Sequence, residues 1–289
     1  MDPRFVFVGN RRFVLEQMLE CGIQPSSIYV IAGTHLEKDF LSNKINGVNN
    51  YTLVNSKNEL LSFLMKDSFD VLVSNGCPYI LPVGDLPPAR YVNIHPSLLP
   101  DLRGVDPVIG AILFERDSGA TCHIMDEGID TGAIISSVRI PFTNDLDVTT
   151  LYQLSFMAEK EVFIQAFDCN FAPKYKQQPG SNDIYYSRNP SDQEITFSES
   201  NDFLLQKIKA FNNRSQGCFF RVDGQLYRVY SAQRLNNSYL LKLLDKFPDC
   251  AVALSYENSI VFRKDGEILR FSDIENNDRI AISIGTILL

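Results

Sequence analysis

The stretch RYVNIHPSLLPDLRG, residues 90–104, joins an apolar strand pattern directly to a dense polar segment. Asn93 and His95 are two residues apart, so on a strand their side chains point to the same side. Pro96 follows the histidine and takes the chain out of the strand, because proline cannot donate to a sheet. The stretch therefore predicts a strand that ends by presenting an amide and an imidazole to one small space.

Strand and helix patterns alternate on both sides of this stretch. Apolar strand patterns cover residues 4–10, 27–33 and 69–76, and helical spacing covers residues 11–22 and 57–67. A helix near 107–116, a strand pair at 120–128 and 133–142, and a long helix at 148–167 follow. This alternation predicts an α/β fold with a Rossmann-like, mostly parallel sheet. Ligands of such sheets bind at the carboxyl ends of the strands.

The composition changes after the long helix. Prolines, glycine, serine and asparagine are frequent up to residue 197, which is typical of a linker. Beyond it, Asp-Gly pairs at 223–224 and 265–266 each predict a β-hairpin. We therefore predict a first domain at 1–178, a linker at 179–197, and a small, mostly-β, OB-like domain at 198–289.

Composition and charge narrow the classes of function. The 289 residues are 45% hydrophobic and 21% charged, with a net charge of -8. Dense blocks of Lys and Arg are lacking, which argues against a nucleic-acid partner. Apolar runs are far shorter than the ~20 residues that span a bilayer, and the first ten residues lack a signal-peptide pattern. We expect a cytoplasmic protein without a membrane partner.

The cysteines and glycines exclude several kinds of site. The six cysteines form no C-x-x-C pair, so neither a zinc site nor a redox pair is predicted. Gly9 stands alone after the first strand, so the G-x-G-x-x-G fingerprint of dinucleotide binding is absent. Arg11 lies at the expected start of the first helix, where a helix N-terminus attracts phosphate, although exposed arginines are common at such positions.

A second polar segment, MDEGIDTG at residues 125–132, lies in the turn of the predicted strand pair. Its glycines indicate a tight loop that presents a carboxylate. If Asp130 meets His95 in space, the set has the parts for acyl transfer to an amine. Asn93 would donate to the carbonyl oxygen as negative charge builds up. His95, charged or nearly so, would share that role or relay a proton, and Asp130 would orient the ring and raise its pKa. His123 is a candidate for a buried support of this site.

Residues 93–104 and 119–134, taken together, resemble the folate-dependent formyltransferase family. That family has an Asn, a His in an H-P-S-L-L-P segment, and an Asp in a D-x-G-x-D-x-G loop, which correspond here to Asn93, His95 and Asp130. The segment CPYILP, residues 77–82, resembles the family's pterin-side loop. The resemblance implies transfer of a formyl group from 10-formyltetrahydrofolate to a primary amine, without a metal.

The resemblance also implies binding residues. Expected at the folate are Cys77, Tyr79, Ile80, Leu81, Asp126 and Gly128. Expected at the acceptor are Ser97, Leu98, Arg103 and Gly104, to which the first strand end adds Gly9 and Arg11.

The acceptor is expected to be a nucleotide-linked amino-deoxysugar of the dTDP type, used for bacterial surface polysaccharide such as O-antigen. The family's tRNA-acting branch usually carries a tryptophan after R-G-x-x-P, whereas this chain reads RGVDP and has no tryptophan. Two alternatives stay open: a methionyl-tRNA formyltransferase and a non-catalytic folate-binding protein. The apolar tail, residues 279–289, raises the hypothesis of an edge strand and of a homodimer.

Overall fold

The computed structural model describes residues 3–48 and 50–289. Within this range the chain forms two compact units. The first contains residues up to 111, 117–141 and 152–187; the second contains 112–116, 142–151 and 188–289. Each unit is built around its own sheet.

The sheet of the first unit has seven strands in the order β3-β2-β1-β4-β5-β6-β7. The first five are parallel, and β6 and β7 are antiparallel. The strands are β1 (Phe5–Gly9), β2 (Ser27–Ile31), β3 (Thr52–Val54), β4 (Val71–Asn75), β5 (Arg90–His95), β6 (Ser118–Ile124) and β7 (Ile134–Ile140). The predicted Rossmann-like, mostly parallel sheet is confirmed.

Helices cover both faces of this sheet. They are α1 (Phe13–Glu20), α2 (His35–Leu41), α3 (Lys57–Leu64), α4 (Pro107–Leu113) and α5 (Val148–Asp168). Successive strand residues alternate between two apolar clusters, because neighbouring side chains on a strand point to opposite faces. In β1, Phe7 packs with Leu15 of α1 and Phe163 of α5. Val6 packs on the other face with Leu60 of α3.

The second unit contains an antiparallel sheet of five strands in the order β10-β11-β12-β9-β8. Its elements are α6 (Asn201–Ala210), β8 (Cys218–Val222), β9 (Gln225–Leu235), α7 (Ser238–Leu244), β10 (Val252–Tyr256), β11 (Ser259–Lys264) and β12 (Glu267–Glu275). Both Asp-Gly pairs form the predicted two-residue hairpin turns, β8–β9 and β11–β12. All four turn residues have positive φ, between 48° and 79°, which aspartate and glycine tolerate.

Three elements differ from the sequence expectation. Helices α2 and α7 form where no helix was predicted, since each has only seven residues and too few turns to show a periodic pattern. The tail from residue 279 was expected to be an edge strand; it forms no named strand among the described residues and meets residues 250–252 through the isolated bridge of Ala251 with Ile287 and three backbone hydrogen bonds. Among the described residues, no helix has the length and apolar character needed to cross a bilayer.

Candidate active site

The pairing of β5 with β6 gathers the polar residues on one face of the sheet. Asn93 lies opposite His123, and His95 lies opposite Thr121. Opposed residues of an antiparallel pair project to the same face, as do residues two apart on one strand. The interleaved Ile94 points into the core on the other face. Asn93, His95 and His123 therefore converge at the carboxyl end of β5.

Asp130, in the turn between β6 and β7, completes this group. Its Oδ2 lies 3.5 Å from Nδ1 of His95, and its Oδ1 lies 3.5 Å from Nε2 of His123. Its side chain is 12% exposed, whereas both imidazoles are almost fully buried. One carboxylate thus stands between two histidines, with a small part of it open to solvent. We name Asn93, His95, His123 and Asp130 the His95 cluster.

The glycines of the turn allow it to fold tightly under Asp130. A Cβ on Gly132 would lie 1.8 Å from the carbonyl oxygen of Ile124, and a Cβ on Gly128 would lie 2.0 Å from Thr131 Oγ1. Asp126 Oδ1 accepts hydrogen bonds from the Gly128 amide (3.1 Å) and the Thr131 hydroxyl (2.6 Å). In this structure the Asp126 carboxylate therefore shapes the loop, as a short polar side chain in a turn commonly does.

The His95 ring lies between two acceptors. Nε2 is 3.0 Å from the carbonyl oxygen of Leu102, and Nδ1 faces Asp130. Burial lowers the pKa of His95, and the Asp130 charge and the Leu102 carbonyl oppose this only in part. The sequence expectation of a charged or nearly charged ring is thus corrected: Asp130 does raise the pKa, but burial outweighs it. The neutral ring donates to one of these two acceptors, and protonation adds a donor toward the other, so the ring is suited to accept a proton.

Asp130 keeps its charge over the neutral pH range. Burial raises the pKa of its carboxyl, but the His95 and His123 rings and the Gly104 amide lower it to about 2. The Gly104 amide donates to Oδ2 at 3.3 Å. Asp130 therefore gains a proton only at a low pH, at which His95 is already protonated.

His123, the candidate for a buried support, lies beside Asn93 and Asp130. Its Nδ1 donates to the carbonyl oxygen of Ile124 at 2.9 Å, so in the neutral ring Nε2 is the acceptor. Asn93 Nδ2 lies 3.3 Å from this nitrogen and 3.4 Å from Asp130 Oδ1. His123 therefore helps to set the orientation of the Asn93 amide. Only the strand register places it there, and that register is invisible in the sequence.

The residues expected at the acceptor make internal contacts in this structure. Arg103 Nε donates to the carbonyl oxygen of Asp130 at 3.1 Å, and Gly104 contacts the carboxylate of the same residue. Ser97 is fully buried and donates to the carbonyl oxygen of Asp101 at 2.8 Å, while Leu98 is half-buried. These contacts hold the walls of the His95 cluster. Their role toward an acceptor stays a prediction.

The residues expected at the folate lie in the loop after β4. Cys77 and Tyr79 are partly buried, Leu81 is buried, and all three belong to the apolar cluster that also contains Met125. Ile80 is 57% exposed. Because Met125 precedes Asp126, the two segments predicted to hold the folate lie on the same side of the sheet. The structure leaves their ligand contacts as predictions.

Arg11, expected to meet a phosphate, is paired inside the protein. Its Nη1 lies 3.1 Å from Oε1 of Glu159, a residue of α5 whose side chain is fully buried. Gly9 is closely packed, since a Cβ there would lie 2.6 Å from the carbonyl oxygen of Asn75. Glu159 is 148 residues from Arg11 along the chain, and no motif in the sequence pointed to it. We name Asn10, Arg11, Asn75 and Glu159 the Glu159 cluster.

Within residues 3–48 and 50–289, no group of three or more His, Cys, Asp or Glu side chains is arranged to hold a metal ion.

Comparison with known proteins identifies the domain. Residues 42–167 match the family model described as Formyl transferase. The chain is 31% identical over 183 residues to the methionyl-tRNA formyltransferase of Janthinobacterium sp. (strain Marseille). This match covers 61% of the chain and 57% of the relative, so the chain spans little more than half the length of that protein.

Two solved structures share the fold. The sugar 3N-formyl transferase WlaRD, solved with dTDP and 5-N-formyl-THF, has a TM-score of 0.67 at 17% identity, covering 96% of this chain and 99% of that one. The N-formyltransferase from Helicobacter canadensis, in complex with folinic acid and dTDP-3-aminofucose, has a TM-score of 0.66 at 19% identity, covering 94% and 99%. These two likenesses show a shared fold, and the family match shows that residues 42–167 form a formyl transferase domain, which confirms the resemblance of residues 93–104 and 119–134 to the formyltransferase family.

Proposed function

We propose that the protein is an enzyme that transfers a formyl group from 10-formyltetrahydrofolate to a primary amine. The observation that carries this proposal is the His95 cluster: an ionised carboxylate beside a buried imidazole and an amide, at the carboxyl edge of a Rossmann-like sheet. The cluster lies within a formyl transferase domain. Its geometry provides a proton acceptor and hydrogen-bond donors without a covalent nucleophile.

Each residue of the His95 cluster has its own role in the proposed reaction. The acceptor nitrogen forms a bond to the formyl carbon, and the bond from that carbon to the donor nitrogen breaks. His95, which Asp130 holds in place through Nδ1, takes the proton that leaves the amine on Nε2, which must first give up its contact with the Leu102 carbonyl oxygen. The proton then passes on to the departing nitrogen directly or through water. Asn93 donates to the formyl oxygen as its negative charge grows. The two hydrogens of the Asn93 amide face His123 and Asp130, so one of them turns away from its partner when the amide donates to the formyl oxygen.

The folate is assigned to the loop after β4 and the loop that carries Asp126. Leu81 is buried and Tyr79 partly buried beside Met125, which fits one face of a flat pterin ring. Main-chain groups of residues 126–130 would read its polar edge. The donor supplies the formyl group.

The acceptor is assigned as a nucleotide-linked amino-deoxysugar, of the dTDP type, for bacterial surface polysaccharide. Support comes from the shared fold with two proteins whose structures hold dTDP or a dTDP-aminosugar. The net charge of -8 and the lack of tryptophan after the Arg103-Gly104 pair agree with a small acceptor. The proposal also includes domain bounds of 1–178, 179–197 and 198–289, a cytoplasmic location and a homodimer.

The proposal is tested by mass spectrometry of candidate acceptors after incubation with 10-formyltetrahydrofolate and the protein. The panel contains dTDP-, UDP- and GDP-linked amino-deoxysugars together with methionyl-tRNA. We expect the mass of a single dTDP-linked aminosugar to rise by one formyl group with the unaltered protein, and no acceptor to be formylated with the His95→Ala variant. A panel without any formylated product would contradict the proposed activity.

A second candidate acceptor is initiator methionyl-tRNA. The relative with 31% identity is a methionyl-tRNA formyltransferase, which favours this reading over other macromolecular acceptors. Formylation of the tRNA alone, with binding that weakens steeply as salt is added, would replace the sugar by the tRNA.

A further inference from the structure

The segment that follows α5 reaches back to the loop that carries Asp130. Gln177, in this segment, donates from Nε2 to two main-chain carbonyl oxygens of the loop: that of Asp130 at 2.9 Å and that of Gly132 at 2.8 Å. Its Oε1 accepts from Arg103 Nη2 at 2.7 Å. Arg103 in turn donates from Nε to the carbonyl oxygen of Asp130 at 3.1 Å. Four hydrogen bonds from or to the side chains of Gln177 and Arg103 thus hold the main chain of this loop.

The contacts allow one orientation of the Gln177 amide. Two carbonyl oxygens need donors, and the Arg103 guanidinium needs an acceptor, because arginine only donates. If the amide were turned over, its oxygen would face two other oxygens and its nitrogen would face a cation. The side chain is partly buried, so such mismatched contacts would be costly.

The held residue has an uncommon backbone conformation. Asp130 has φ of 54°, in the left-handed region that non-glycine residues enter at a cost. Such conformations persist where the surroundings determine them strongly. The same peptide unit that Gln177 and Arg103 fix belongs to the residue whose carboxylate lies 3.5 Å from both His95 and His123.

We propose that Gln177 is a positioning residue for the formyl transfer: it fixes the backbone of Asp130 and thereby aims the carboxylate at His95. This inference rests on the proposed function for its kinetic consequence. Arg103, expected from the sequence to face the acceptor, is the second member of the same clamp. The residues touching the reacting groups remain Asn93, His95 and Asp130.

The adjacent Gln178 provides a matched control, because it is the same residue type and its side chain is exposed. Three variants are compared with the unaltered protein. Gln177→Met keeps the length of the side chain and removes the three hydrogen bonds that the Gln177 amide makes. Gln177→Glu keeps the shape and the acceptor for Arg103 but loses both donors. Gln178→Met makes the apolar change at the neighbouring position.

The kinetic readout separates positioning from binding. We expect both Gln177 variants to lower kcat by roughly 10- to 100-fold, as loss of a supporting contact to a functional group commonly does. The acceptor KM and the Kd of 5-formyltetrahydrofolate should stay within about threefold. Gln178→Met should leave kcat unchanged within about twofold. If Gln177→Glu keeps the kcat of the unaltered protein, Gln177 only fills space and the inference is wrong.

A second readout requires no formyl transfer. The chain has three histidines, so their titrations can be followed by NMR. The groups that face His95 are Asp130 from the loop, His123 from β6, Arg11 from the segment after β1, and the Leu102 carbonyl. Because the Asp130 charge raises the pKa of His95, a displaced Asp130 in Gln177→Met should move that titration to lower pH. An unchanged His95 titration in a folded Gln177→Met would overturn the inference, even if the protein formylates none of the acceptors. A shifted one would uphold it and leave only the activity to be reassigned.

Discussion

Two polar clusters lie at the carboxyl edge of the same sheet and differ in what surrounds them. In the His95 cluster, the carboxylate of Asp130 faces two imidazoles and a backbone amide, and its side chain is 12% exposed. In the Glu159 cluster, the carboxylate is fully buried against Arg11. Asn10 Oδ1, Arg11 Nε and Asn75 Oδ1 there have no hydrogen-bond partner among the described residues. The carboxylate of the first cluster is thus partly open to solvent, whereas the carboxylate of the second is not.

The difference shows how a charged residue at a strand end should be interpreted. Arg11 stands where phosphates bind in related sheets, yet its guanidinium is engaged by Glu159 at 3.1 Å. Asp130 stands in a turn, where carboxylates are often merely solvated, yet three groups direct it. The partners of a charge, and its access to solvent, therefore separate a chemical role from a structural one. We therefore propose a catalytic role for the His95 cluster and a stabilising role for the Glu159 cluster.

The largest expected effect is on activity. Asp130→Asn keeps the size of the side chain but removes the charge that orients His95, so we expect kcat for formyl transfer to fall by about 100- to 10,000-fold. The measurement is the initial rate of acceptor formylation at pH 7. Asp168→Asn, at an exposed carboxylate at the end of α5, is the control and should stay within about twofold. A fully active Asp130→Asn protein would remove the distinction between the clusters.

The next largest expected effect is on stability, and it results from a substitution in the Glu159 cluster. Arg11→Met leaves a buried carboxylate without its cation, and removing one partner of a buried pair costs about 3–5 kcal/mol of unfolding free energy. Burial already raises the pKa of Glu159 above its ordinary 4.5, and Arg11 lowers it in part. A raised pKa in the folded state means that the carboxyl favours folding when protonated and opposes it as pH rises through that pKa. The variant should therefore be least stable at pH 7 and recover toward pH 4.5.

Denaturant unfolding between pH 4.5 and 8 tests this expectation. The double variant Arg11→Met with Glu159→Gln has no buried charge left and should regain most of the lost stability at pH 7. A deficit in Arg11→Met that does not change with pH would show that the lost contact, and not the unpaired carboxylate, is responsible.

A smaller effect concerns the acid stability of the His95 cluster. The pKa of Asp130 is lowered from 3.8 to about 2 in the folded protein. Stability gained from a lowered pKa is present above 3.8 and is lost as pH falls toward 2; here it amounts to about 2 kcal/mol. Asp130→Asn should thus flatten the fall in unfolding free energy between pH 4 and pH 2. Equal slopes in both proteins would argue against the charge environment described for Asp130.

The smallest expected effect is on the stability that an exposed ion pair contributes, in contrast to the buried pair of Arg11 with Glu159. Arg214 Nη1 lies 2.6 Å from Glu275 Oε1, but both side chains are more than half exposed. Exposed ion pairs contribute about 0.2–1 kcal/mol, so Arg214→Gln should change the unfolding free energy by less than 1 kcal/mol. The same denaturant titration compares it with Arg11→Met. A loss as large as that of Arg11→Met would mean that burial does not govern the two pairs.

Local patterns made much of this architecture predictable. The alternation of strands and helices, the turn at residues 125–132 and both Asp-Gly hairpins followed from near neighbours in the sequence. Asn93 and His95 could be paired from their spacing, and Asp130 from a motif. His123 could be named only as a candidate support, and Gln177 and Glu159 not at all, because strand register and the path of the segment after α5 place them. The neutral state of His95 was missed for the same reason: burial is a property of the fold.

The most direct test of the division between the clusters is a side-by-side assay of Asp130→Asn and Arg11→Met at a temperature where both are folded. Formyl transfer to the acceptor and unfolding free energy at pH 7 are measured on the same preparations. We expect Asp130→Asn to lose at least about 100-fold in kcat, and Arg11→Met to lose less than about tenfold in kcat but the larger share of stability. An Arg11→Met protein that is folded but inactive, or an Asp130→Asn protein with unaltered kcat, would contradict it.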